Sequence, residues 1–196
     1  MKLRLAVCLA GLLSFSAAAS YAQSVPTLEV ALNYSHVSVT PTNSQIGNFS
    51  MQGGSGQVAY NFDKWFSAVA DVGFYTHATM ASTGEIGLLL HPTEISYTAG
   101  PRISYRHFQR FTPFGQILIG VVHATGGGNV STFDDNVKSQ TKLAYAAGGG
   151  IDVKVKSYLA VRPIAIDVQR TQFAELGTTR QIQTNLRVSV GVVLLF

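Results

Sequence analysis

Apolar and polar residues alternate along most of the chain. From Leu28 the even positions are Leu28, Val30, Leu32 and Tyr34, and the odd ones are Glu29, Ala31, Asn33 and Ser35. Successive side chains of an extended strand point to opposite faces, so a period of two predicts a strand with one apolar and one polar face. The same reading gives a second strand with Val58, Tyr60 and Phe62 against Ser55, Gln57, Ala59 and Asn61, and a third with Phe66, Ala68, Ala70, Val72 and Phe74 against Ser67 and Asp71. A fourth sets Ile95, Tyr97, Ala99, Ile103 and Tyr105 against Ser96, Thr98, Gly100, Arg102 and Ser104. The fifth, FTPFGQILIGVVHA, has Ile117, Ile119 and Val121 opposite Gln116 and Gly120, and the sixth, KLAYAAGGGIDV, has Leu143, Tyr145, Ala147 and Ile151 opposite Ala144, Ala146, Gly148, Gly150 and Asp152. LAVRPIAIDVQRT is the seventh, and NLRVSVGVVLLF, with Leu186, Val188, Val190, Val192, Leu194 and Phe196 on one face, is the eighth.

The connections alternate in length. Short turns fall near 63, 107–110 and 154–157, and long polar stretches cover 38–50, 76–93, 124–139 and 171–181. Hairpins threaded through a bilayer sort their connections in this way, short on one side and long on the other. The two faces agree with that environment. The apolar face is broad and aromatic, while the opposite face carries Ser, Gly, Ala, Asn and scattered charge. A closed sheet of eight strands has an interior just wide enough for side chains, so the small polar face fits inside and the apolar face turns outward. An open edge in hydrocarbon would leave backbone N–H and C=O groups unpaired, which requires the first strand to join the last. The predicted fold is all-β, an eight-stranded antiparallel transmembrane up-and-down β-barrel. Tyr60, Phe62, Trp65 and Phe66 by the first short turn, Tyr105, Phe108 and Phe111 by the second and Tyr158 by the third fit an interfacial girdle.

Composition supports a membrane setting. Charged residues are 12% of the 196-residue chain, about half the usual share in soluble domains. Past the N-terminus no run approaches the roughly 18 apolar residues of a spanning helix. The first residues have the features of an export signal: basic Lys2 and Arg4, the apolar LAVCLAGLLSF, then Ser20-Tyr21-Ala22. The expected division is a cleaved signal peptide over 1–22 and a barrel domain over 23–196. Cys8, the one cysteine, lies in that leader, so the mature chain has no disulfide or thiol chemistry. Without Lys2 and Arg4 the balance is twelve basic to ten acidic side chains, too slight to argue for nucleic acid.

The polar faces place six charged residues in the lumen: Glu29, Asp71, Arg102, Asp152, Asp167 and Arg187. Buried alone each would be costly, so carboxylates are expected to pair with arginines, and such a network in so narrow a barrel is read as a plug that fixes register. A gated polar path is the alternative. Arg162 and Asp167 lie an odd number of residues apart and can both point inward only across a bulge, which Arg162-Pro163 suits because proline has no N–H to lose. His36-Val37-Ser38 has same-face spacing and shares the parity of apolar Tyr34. His77, His91 and His123, with Glu85, Glu94, Asp134 and Asp135 as distant neighbours, form no ligand or catalytic pattern. No catalytic, metal or cofactor site is expected. Gly126-Gly127-Gly128 is read as loop. Gly148-Gly149-Gly150 and Gly53-Gly54-Ser55-Gly56 lack the lysine and helix of a phosphate loop and are read as sites of close packing or curvature.

The alternating apolar run Leu186, Val188, Val190, Val192, Leu194 and Phe196, ending on an aromatic residue, together with AYNFDKWFSAVADVGFY, AGPRISYR, TPFGQILIGVVHA and GGGIDVKV, resembles the small bacterial outer-membrane β-barrels of the OmpA-like and porin-like kind. The resemblance covers nearly all of 23–196. It implies a Gram-negative outer membrane with both termini in the periplasm. It also implies an assembly signal in those six C-terminal residues, read by the barrel-insertion machinery. The implied surroundings are outer-membrane lipids and lipopolysaccharide, with an extracellular ligand at the four long loops. Val193 and Leu195 depart from it, being apolar at lumen parity. The implied role is structural or surface-interactive without catalysis; a small-solute pore and a lipid-modifying enzyme are the alternatives. The His-x-Ser-Asn motif of lipid A deacylases is matched at His36 and Ser38 but has Val39 in place of asparagine. With Phe196 as the last residue, no wall-anchoring domain is expected.

Overall fold

Alternation of this length can only be buried on one side, and the chain does so by closing on itself. The computed structural model describes residues 25–40, 49–76, 79–83, 86–129, 140–174 and 180–196. Its strands are β1 (Leu28–Thr40), β2 (Phe49–Asn61), β3 (Phe66–Thr76), β4 (Thr79–Thr83), β5 (Ile86–Ser104), β6 (Phe111–Asn129), β7 (Gln140–Lys156), β8 (Leu159–Ala174) and β9 (Arg180–Leu195). Strands β3 and β4 both pair with β5, as two lengths of one stave, so the barrel has eight staves. Each stave is antiparallel to its neighbours, and β1 closes the ring against β9 from Glu29↔Leu195 to Thr40↔Thr184. At the foot of that seam Phe196 N–H donates to the Leu28 carbonyl at 2.9 Å, and Leu28 N–H donates to the Phe196 carbonyl at 3.2 Å. The last residue is thus part of the closure.

Polarity is the reverse of a soluble domain's. Ile117 is 66% exposed and Leu32 63%, while Arg102 is 2% exposed and Asp71 1%. Down β9 the residues Leu186, Val188, Val190, Val192, Leu194 and Phe196 all face out. That run covers about 33 Å of strand at ~3.3 Å per residue, which the usual barrel tilt lowers to about the 25 Å of an outer-membrane apolar band. Exposed aromatics mark both borders: Tyr34, Phe74, Tyr97 and Tyr145 toward the loops, and Tyr60, Phe62, Trp65, Phe66, Tyr105, Phe108, Phe111 and Tyr158 at the short turns. Trp65 and Tyr105 lie 5.3 Å apart by centroid, as do Tyr60 and Phe62. Past the loop-side aromatics polar residues appear at outward positions, with His36, Gln52, Thr76 and Thr141, and Arg170 stands in register with Tyr145.

Pairing continues past that band. The stretches 38–50, 76–93, 124–139 and 171–181, expected to be loops, are strand wherever their residues are described: β1 reaches Thr40, β4 and the start of β5 fill most of the second, β6 reaches Asn129 and β8 reaches Ala174. Gly126-Gly127-Gly128 pairs with Pro92, His91 and Leu90 and is strand, not loop. Hydrophobic alternation stops where lipid stops, but backbone hydrogen bonds form equally well in water, and Thr and Val favour strands. At the third turn the chain reverses at Ser157-Tyr158, slightly later than 154–157. In the first turn the Asp63 carboxylate accepts from Phe66 N–H at 2.8 Å and from Trp65 N–H at 2.5 Å. Those two donors, Phe66 foremost, hold its carboxyl below the usual carboxylate range.

The glycines fall into two kinds. A Cβ at Gly148, Gly149 or Gly150 would collide with the carbonyls of Ile166, Phe114 and Ile164 respectively, so here the strands approach too closely for any side chain. Gly53 meets the Phe74 carbonyl in the same way. Gly54 and Gly56 do not share that constraint, because a Cβ at Gly56 would have nothing within 4 Å and one at Gly54 only the Asn33 carbonyl at 3.4 Å.

Candidate functional site

Every stave sends a polar or charged side chain into the lumen. At the short-turn end Glu29 of β1 accepts from Arg106 at 2.6 Å and from Asn61 at 3.0 Å, with Arg102 at 3.6 Å. Arg106 also donates to Asn61 Oδ1 at 2.9 Å and to the Lys64 carbonyl at 3.1 Å. One level up, the guanidinium carbons of Arg102 and Arg162 stand 4.4 and 4.5 Å from the centre of the Phe114 ring. Both arginines donate to Gln57 Oε1, Arg162 at 2.8 Å. Arg102 also donates to Gln116 at 2.9 Å, and Arg162 grips Asp152 with two bonds of 2.7 and 3.0 Å.

From there the network crosses to the other wall. Gln116 Nε2 donates to Asp167 at 2.9 Å, and Asp167 accepts from Arg187 at 2.9 Å. Arg187 donates in turn to Asp71 at 3.0 Å and to the Tyr75 hydroxyl at 2.8 Å. Toward the loops Gln169 donates to Glu94 at 3.2 Å. Four arginines (102, 106, 162 and 187) therefore meet Glu29, Asp71, Asp152 and Asp167 in one connected set. Compensated charge is the condition under which ionised groups persist in a low-dielectric interior.

Arg162 and Asp167 are both inward, and the register of β8 against β9 slips between Arg162 and Ala165, with Pro163 and Ile164 both exposed. One extra residue on β8 restores the inward parity of Arg162. Proline sits where the ladder has already lost a pair.

The lumen is not wholly polar. Val37, Val39, Met51 and Tyr75 form an apolar cluster toward the loops; Ala59, Val69, Leu118 and Ala146 form another; and Ala31, Ala160 and Val193, with Leu195 beside them, form a third near the short turns. The last of these accounts for the apolar residues at lumen parity in the final strand.

Sequence parity located the six charged residues, and the structure brings all six inside. It did not single out the neutral partners Gln57 and Gln116, although both lay on the polar face. Tyr75 and Phe114 share the parity of Asp71 and Gln116, a signal that was legible, but as aromatics they resembled the outward set. Arg106 lies beyond its strand, where parity says nothing. The sequence-selected His36 and Ser38 face outward, away from the lumen. His123 contacts Thr141 Oγ1 at 2.8 Å, while Glu94 is buried inside, so those two are on opposite faces of the sheet. His77, Glu85, Asp134 and Asp135, like the proposed leader with Cys8, lie outside the described residues, as does the side chain of His91. Among the described residues no group of His, Cys, Asp and Glu could hold a metal ion, and no helix is long and apolar enough to cross a membrane.

A closed barrel with lipid-compatible residues outside and a compensated ionic interior defines a transmembrane β-barrel. The chain belongs to the outer membrane protein beta-barrel domain family, whose model matches residues 5–193, and its location is the bacterial outer membrane. No curated protein matches the sequence. Among solved structures, Ail, the attachment invasion locus protein of Yersinia pestis, is similar at TM-score 0.58 and 14% identity, covering 88% of this chain and 99% of that one. Neisserial surface protein A is similar at 0.58 and 11%, covering 89% and 100%. The outer membrane protein OprG of Pseudomonas aeruginosa is similar at 0.53 and 13%, covering 88% and 97%. At such identities the likeness is one of fold.

Proposed function

We propose that this protein is a sealed outer-membrane barrel that acts through its long-loop rim, with a structural or surface-interaction role and no catalytic step. The observation that carries the reading is the pair Arg102 and Arg162, both 2% exposed, flanking Phe114 and sharing Gln57 across the middle of the lumen. An ion entering there would have to displace hydrogen-bonded, charge-compensated side chains that span from wall to wall. In this reading the loops face the exterior, where they meet an extracellular ligand, and both termini lie in the periplasm. The final strand, whose Phe196 is fixed in the seam, is what the insertion machinery engages. Outer-membrane lipids, lipopolysaccharide among them, surround the apolar band.

Planar-bilayer recording tests the reading. The wild-type barrel is expected to give no discrete conductance steps, and the Arg102→Ala/Arg162→Ala variant to give frequent ones because the central layer is removed. Regular unitary steps from the wild-type protein would overturn it in favour of a small-solute pore.

A further inference from the structure

The lipid-facing surface has a trench whose shape folding does not explain. On β2 the outward positions Gly56 and Gly54 lie between bulky neighbours in two successive rows, Leu32–Gly56–Val72 and Tyr34–Gly54–Phe74. The result is a groove of about 480 Å³, with Ile95 beyond Phe74 on the next stave. Below it the row Val30–Val58–Ala70 closes the floor; above it stands the polar row His36–Gln52–Thr76. Tyr34 hydroxyl donates to Gln52 Oε1 at 2.7 Å, tying the aromatic wall to that polar row.

Glycine is a poor strand residue, with no side chain to pack and more backbone freedom to lose. At Gly53, Gly148, Gly149 and Gly150 close backbone approach demands it, but at Gly56 an added Cβ would meet nothing within 4 Å. What the two glycines provide is the empty space itself. The flanking strands are about 10 Å apart, two inter-strand spacings, room for one extended hydrocarbon chain. The trench is continuous with the apolar band that contacts the bilayer, and its polar end lies at the level where outward residues change from apolar to polar.

We propose that this groove is a site for one fatty acyl chain of a lipid in the leaflet on the long-loop side, held lengthwise over Gly56 and Gly54. Its ester end sits at the hydrogen-bonding row of His36, Gln52 and Thr76. The inference rests on the outward-apolar orientation of the barrel and not on whether the lumen conducts.

The test is photo-crosslinking of the full barrel in vesicles containing a phosphatidylethanolamine with a diazirine in one acyl chain, followed by peptide mapping. Tyr34 and Tyr145 are the same residue type at the same border on different sides of the barrel, 55% and 45% exposed. The wild-type protein is expected to show several-fold stronger labelling at Tyr34 than at Tyr145. Gly54→Leu/Gly56→Leu is expected to bring the two to parity, while Gly115→Leu, another exposed glycine whose Cβ would be 3.8 Å from its nearest neighbour, leaves the ratio unchanged. Equal labelling of the two tyrosines in the wild type, a measurement that needs no variant to fold, would overturn the proposal. So would a wild-type dimer joined by a Tyr34–Tyr34 dityrosine bond when the same vesicles are treated with a one-electron oxidant, which would make a second copy the occupant.

Discussion

Replacing Arg187 by leucine is expected to cost the barrel about 3–5 kcal/mol, the usual consequence of removing one partner from a buried ionic cluster. Arg187 is 5% exposed and serves three acceptors at once: Asp167, Asp71 and the Tyr75 hydroxyl. Its loss leaves two buried carboxylates without a cation, because among the described residues neither Asp71 nor Asp167 has another arginine within ion-pairing distance. The effect therefore comes from the stranded charges more than from the missing bonds. Arg187→Leu combined with Asp71→Asn and Asp167→Asn is expected to recover most of the stability. Urea titration of the refolded barrel, with the folded fraction read from migration before and after boiling, checks both. A loss below about 1 kcal/mol in the single variant would mean that the cluster is hydrated and not sealed.

On the outer wall, Ile117→Arg is expected to destabilise the membrane-inserted barrel by about 2–4 kcal/mol, and Thr141→Arg by about 0–1 kcal/mol. Both sites are exposed, so neither substitution disturbs a packed interior. Ile117 lies within the apolar band of β6, whereas Thr141 lies beyond Tyr145 and Leu143 on β7, past the loop-side border. The difference measures depth in hydrocarbon. Equal costs at the two positions, from the same unfolding titration, would show that the surface does not meet a graded membrane environment.

The barrel was legible in the sequence because lipid enforces a strict period of two. Every outward row that pointed to it, from Leu32 and Tyr34 to Leu194 and Phe196, is outward in the structure. The ends of the staves were not legible. Thr79–Thr83 and the Gly126-Gly127-Gly128 segment pair as strand outside the band, where water permits any polarity and the period disappears. In the lumen, charge made Glu29, Asp71, Arg102, Asp152, Asp167 and Arg187 visible, and the five-residue offset to Asp167 exposed the bulge at Pro163. Gln57 and Gln116 carry as much of the hydrogen bonding, but a neutral amide on a polar face has no distinguishing mark until its partners are known. The trench at Gly54 and Gly56 was likewise hidden, since sequence alone cannot tell a glycine forced by close backbones from one that leaves space.

The account depends on which face of the sheet meets hydrocarbon, and collisional accessibility of nitroxides on the reconstituted barrel measures this directly. Spin labels placed singly at Leu32, Ile117 and Val190, and at Asn33 and Ser189 on the opposite face, would be exposed in turn to oxygen and to a water-soluble nickel chelate. The expected result is high oxygen and low nickel accessibility at the three outward sites, with both low at the two inward ones. Ready access of the nickel chelate to Leu32, Ile117 and Val190 would contradict it.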